Sequence, residues 1–185
     1  MNSIDQLFFK LQSLRAGEFA HLNGSLSKHL RGTEALLREW GAEDMVCVAG
    51  LYHAVYGTYG YNSALTSLAG RKNIAELIGV EAESLAYLFG ACNRRVFYPR
   101  IGTDTQLLFA DRFTNAEYEI GYLQLTQLCE ITLANELEIV SNSPQFIAAH
   151  RLNLSPLFEK MAGLLSKAGF QSYRSILHGD AQPAA

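Results

Sequence analysis

Apolar residues recur at intervals of three and four along most of the chain, which predicts helices. Ile4, Leu7, Phe8 and Leu11 form a first amphipathic stripe. "AGEFAHLNGS" interrupts it with Gly17 and Gly24. Leu26, His29, Leu30, Thr33, Leu36, Leu37 and Trp40 make the next stripe, which Gly41 closes. "AEDMVCVAGLYHAV" has acids in its first turn and apolar residues almost all round, the mark of a central helix. "YGTYGYNSAL" reads as a loop punctuated by glycine. "SLAGRKNIAELIG" and "VEAESLAYLFGACNRRVF" are two helices parted at Gly79, and "YPRIGTDT" is a loop containing Pro99. From Thr103 to Val140 the pattern predicts one long helical region, broken near Gly121. Ser143-Pro144 opens a further segment. A last helix follows in "SPLFEKMAGLLSKAG", with Ser155 as its cap, Pro156 at its first position and Gly169 past its end. No alternating run of strand length stands out. The expectation is a single all-α helical bundle over residues 1–178, with a fraying tail at 179–185.

Composition narrows the function classes. The chain has 185 residues, 49% of them hydrophobic and 18% charged, which suits one globular domain rather than a disordered segment. A net charge of −3 without a long basic run argues against nucleic acid as the main partner. The N-terminus lacks the pattern of a signal peptide, and no apolar run is long enough to span a bilayer. Cys47, Cys92 and Cys129 are odd in number and lack CxxC spacing, so they read as buried free thiols of a cytoplasmic protein and not as a zinc site.

Three polar residues fall on apolar faces. His29 shares a stripe with Leu26, Thr33 and Leu37, and His53 lies near the end of the most apolar helix. On a helix Asp111 would share a face with Leu107, Leu108, Asn115 and Tyr118. A buried carboxylate needs a partner, and two imidazoles with one carboxylate suit a divalent metal with open positions for water. The alternatives are hydrogen-bonded core histidines and an Asp111 paired with Arg94, Arg95 or Arg112.

In order, "SKHLRGTEALLREWG", "VCVAGLYHAV" and "LLFADRFTNAE" resemble the HD superfamily of helical metal-dependent phosphohydrolases. The closest likeness is to the hydrolase domain of the bifunctional alarmone synthetase/hydrolases, over about Gly24 to Glu119. The resemblance implies an HD-like domain in which His29, His53 and Asp111 hold a divalent ion (Mn, Fe, Zn or Mg), with Asn115 matching the asparagine that follows. The family's histidine doublet is completed by aspartate; here Ala54 stands in its place. Gly57, Thr58 and Tyr59 occupy the loop that is acidic in the alarmone hydrolases. The chain looks more like a bacterial subfamily sharing "HLNGSL..HLRGT" and "H.VYGT".

His21, eight residues before His29, is a candidate replacement ligand or pocket residue. Tyr56, Tyr59 and Tyr61, with Thr58, would border the site and suit a small organic ligand. Arg31, with Arg71, Lys72, Arg94 and Arg95, offers cations for phosphate or a solvated surface. The expected activity is metal-dependent hydrolysis of a small phosphorylated or nucleotide-like metabolite, with His53, Asp111 and His21 in the chemistry. The alternatives are a metal-free binding or regulatory module, an HD-like iron oxygenase, and a cofactor-free enzyme using a histidine base; a homodimer stays open.

Overall fold

The computed structural model describes residues 3–16, 20–21, 24–61, 63–141 and 144–179. Apart from Gly179, the expected tail lies outside the described residues, as does the side chain of His21.

The fold is mainly helical. Helix α1 (Ile4–Leu11) starts at a capping box, in which Ser3 accepts from the Gln6 amide and the Gln6 side chain returns to the Ser3 amide. Two-residue strands β1 (Ala20–His21) and β2 (Gly24–Ser25) pair antiparallel and lead into α2 (Leu26–Glu39). The Ser25 hydroxyl caps α2, and Gly41 ends it with a φ of 78°. Helix α3 (Asp44–Tyr52) is buried from Val46 to Tyr52, as its all-round apolar sequence predicts. It packs closely on α2 because Gly50 has no side chain: a Cβ there would stand 2.2 Å from a Leu37 methyl.

Helices α4 (Arg71–Ile78) and α5 (Val80–Ala91) part at Gly79, whose φ is 93°. The segment read as one helix through Phe97 breaks again at Cys92-Asn93, and α6 (Arg94–Arg100) includes Pro99, which was expected in a loop. The larger departure is the region read as one long helix. Its first part forms a hairpin, β3 (Leu108–Asp111) and β4 (Ala116–Glu119), and only α7 (Tyr122–Ser141) is helical. Asn115 takes a left-handed conformation in the hairpin turn, with φ 57°. Backbone bonds from Asn93 to Ala110 (2.8 Å) and from Arg112 to Ala91 (2.7 Å) tie β3 to the end of α5. A helix over these residues would forfeit those long-range bonds.

The helix expected to start at Pro156 is also different. Helix α8 runs Pro144–Met161 with Pro156 inside it, and α9 (Lys167–His178) is separate, capped by Ser166. Helix α7 is the hub, packing against α2, α3, α5, α8 and α9. The core seals Tyr52, Phe89, Phe97, Phe109, Phe158 and Tyr173.

Candidate functional site

A pocket of about 550 Å³ opens between α2, the end of α3, α6 and α7. One wall carries Leu26, His29, His53 and Ala54; the rim is the loop Thr58–Tyr61; the opposite wall carries Arg94, Asn135, Glu136 and Ile139. The loop is a tight turn closed by Thr58 N–H to Tyr61 O (2.8 Å) and Tyr61 N–H to Thr58 O (3.0 Å). Gly60, at its tip, has a φ of 89°, which glycine adopts without strain. Behind it, Gly90 lets α5 lie against the loop, since a Cβ there would be 2.9 Å from the Gly57 carbonyl oxygen.

The structure brings His29 and His53 together, edge to face, with ring centroids 5.2 Å apart. Both are buried. His53 directs Nδ1 at the Gly50 carbonyl, 2.6 Å away. A carbonyl only accepts, so Nδ1 carries the hydrogen and a neutral ring has its lone pair on Nε2. His29 points Nδ1 at Glu138 and Nε2 at Asn135 Oδ1, 3.1 Å away. The Asn135 amide is oriented by its donation to Glu136 Oε1 (3.0 Å), which leaves Oδ1 for the histidine. Both nitrogens of His29 therefore face acceptors.

Glu138 reaches His29 because Gly32 leaves room on α2: a Cβ at Gly32 would stand 2.7 Å from Glu138 Cγ. Arg94 closes the far end. It donates to Glu136 (3.0 Å) and lies over the Phe89 ring, 4.8 Å from its centroid. Phe89 also touches His53, with centroids 4.8 Å apart. Burial works against the charge on Arg94, but the Glu136 carboxylate beside it, which accepts its hydrogen bond, favours the charged guanidinium.

Asp111 is elsewhere in the fold. Its carboxylate lies on β3, buried, and accepts from Tyr87 Oη (2.8 Å), Tyr118 Oη (3.4 Å) and the amides of Phe113 (2.8 Å) and Thr114 (3.1 Å). None of the arginines considered as its partner supplies these bonds; they come from tyrosines and backbone. Asn115 is exposed in the adjoining turn. Arg31 pairs with Asp5 (2.8 Å) and Glu34 (3.4 Å), tying α1 to α2. Tyr56 is buried beside the loop and donates to Glu83 (2.7 Å), which Arg71 holds through two nitrogens. Burial and then that bond to Glu83 push the Tyr56 hydroxyl above its ordinary range. Thr58, Tyr59 and Tyr61 do line the pocket.

A shared metal ion can be tested against these contacts. Among the described residues no three His, Cys, Asp or Glu side chains stand where one ion could be shared. His29 aims both nitrogens at protein acceptors, and Asp111 is saturated on another element. As arranged, these residues do not fit the group.

Sequence reasoning missed Asn135, Glu136 and Glu138. The signal was present: "ITLANELEIV" places polar residues in the most apolar part of a long helix, where each needs a partner.

A family model described as a domain of unknown function (DUF6817) matches residues 10–94. No curated protein and no solved structure matches the chain.

Proposed function

We propose that the chain binds a small organic molecule in the pocket between α2, α3, α6 and α7, and that it does so without a metal. The observation that carries this reading is the occupation of the two would-be ligands: His29 by Glu138 and Asn135, Asp111 by two tyrosines and two amides. What remains is a cavity of about 550 Å³ with apolar walls at Leu26, Ala54 and Ile139 and a polar end at His53, Thr58 and Arg94. That combination suits a compact ligand with one polar end. We read the scaffold as a divergent HD-like bundle, on the convergence of His29 and His53. The hairpin that carries Asp111 marks the divergence. The metal-dependent phosphohydrolase reading has less support, because it needs Asp111 beside the histidines.

The test is a thermal-shift screen of the protein against a metabolite library, with and without EDTA. The expected hit is indifferent to EDTA and lost in Ile139→Trp, which fills the cavity. A hit abolished by EDTA, or one untouched by Ile139→Trp, would overturn the proposal.

One observation favours a catalytic second reading: Gly50 fixes the tautomer of His53, presenting Nε2 as a base. On that reading His53→Gln keeps ligand affinity within a few fold and abolishes turnover. A variant as active as the parent excludes it.

A further inference from the structure

Arg94 borders a second concavity. A groove of about 440 Å³ runs between α6 and α8, with Arg94, Arg95 and Lys160 on its walls and Asn153, Pro156 and Leu157 opposite and between them. Among the described residues no acidic side chain lines it. Glu136 pairs with Arg94, and Glu159, the sequence neighbour of Lys160, accepts from Tyr173 Oη (2.8 Å) and pairs with Arg174 (3.2 Å). The exposed Arg95 makes no ion pair among the described residues. The Lys160 ammonium donates to the Pro99 carbonyl (2.9 Å), a neutral acceptor that anchors the charge without cancelling it. Arg94 uses Nη1 on Glu136, while its buried Nε has no acceptor.

We propose that this groove is a binding site for the phosphate group of a small phosphomonoester. With Arg94 balanced by Glu136, two positive charges remain uncompensated among the described residues, on Arg95 and Lys160. A phosphomonoester carries about −1.5 to −2 near neutral pH, which matches them, whereas a single carboxylate would leave one cation over. Arginine supplies paired donors for two phosphate oxygens and lysine a point charge. Pro156 and Leu157 give the organic part an apolar bed. The groove shares Arg94 with the histidine pocket but lies on the other side of it, between α6 and α8, and its two uncompensated cations are not part of that pocket; the proposal does not rest on the function proposed there.

Isothermal titration with glycerol 3-phosphate, and separately with inorganic phosphate, tests the proposal. Sodium chloride at matched ionic strength is the control. The expected result is one saturable site for the ester, weakened at least tenfold by Arg95→Ala or Lys160→Ala and abolished in the double variant. Circular dichroism should show both variants folded, because both side chains are exposed. Heat effects reproduced by chloride, or unchanged in the double variant, would overturn the site. Inorganic phosphate binding as tightly as the ester would overturn its organic half. An Ile139→Trp variant leaves this titration unchanged, so the two proposals fail separately.

Discussion

His29 and Glu138, 109 residues apart in the chain, meet in a buried contact across the seam between α2 and α7. The seam is narrow enough for it because position 32 is glycine. The pair thus fixes one pocket-lining histidine from behind and joins two core helices. Removing one partner of a buried pair leaves the other uncompensated, at a cost of about 3–5 kcal/mol. Glu138→Ala should lose about that much stability in urea titrations. The double variant His29→Phe, Glu138→Leu should recover most of it, since apolar replacement of both partners is often near neutral. A single variant as stable as the parent would contradict the pairing.

Gly32→Ala tests the same seam from the other side. The added methyl meets Glu138 Cγ at 2.7 Å, and that side chain is held by His29, so it cannot swing away cheaply. Overpacking of this kind costs about 1–3 kcal/mol. The melting temperature should fall, and Glu138→Ala in the same chain should relieve part of the loss. Additive losses would mean the two residues do not press on one another.

Asp111 should behave as a structural residue. Asp111→Ala deprives two amides and two hydroxyls of their acceptor, and each buried group left unsatisfied costs about 1–3 kcal/mol. Allowing for water entry, a loss of about 3 kcal/mol is expected by chemical denaturation. Ligand affinity in the histidine pocket should stay within a few fold of the parent for protein that is still folded. A stable variant that loses ligand would return Asp111 to the site.

The tautomer of His53 can be read directly. Its bond to the Gly50 carbonyl requires hydrogen on Nδ1. Long-range nitrogen–proton correlation spectra of labelled protein, recorded where the ring is neutral, should show the proton on Nδ1 and none on Nε2. The opposite pattern would rule out His53 Nε2 as a base.

The thiols give a pH dependence. Burial pushes Cys92 and Cys129 up to about 12 and Cys47 up to about 11, from an ordinary value of 9.0. The unfolded chain therefore releases these protons first as pH rises. The contribution is intact below about pH 9 and is lost progressively between 9 and 12. Unfolding free energy should fall over that window, and less steeply in a Cys92→Ala, Cys129→Ala variant. In native protein at pH 8 all three thiols should react slowly with a disulfide reagent. Rapid labelling would contradict their burial.

Much of the helical frame was legible in the sequence because period, cap and glycine agree at each site. The stripe from Leu26 to Leu37 and Gly41 mark α2, though its Ser25 cap was not singled out; Gly79 parts α4 from α5. The stretch before α7 was not legible. Leu107, Leu108 and Phe109 fit a helix or a strand, and the deciding bonds, to Ala91 and Asn93, are to another part of the chain. Ser155-Pro156 gives a helix-start signal, yet the burial of Phe158 and Met161 with half-buried Leu154 and Leu157 carries α8 through it. Half of the site was legible for the same reason. His29 and His53 betrayed themselves by standing on apolar faces. Asn135 and Glu136 sit on the far wall, with Glu138 beside them on α7, and no local pattern names their partners.

The segment matched by the family model, residues 10–94, contains both histidines, the tyrosine turn and Arg94, whereas Asn135, Glu136 and Glu138 belong to α7. The cavity therefore has no independent existence in that segment: a fragment stopping at 94 would expose His29 to water with nothing behind it. Chain closure over more than a hundred residues must be complete before the recess exists, so site integrity and global folding should be lost in one cooperative event.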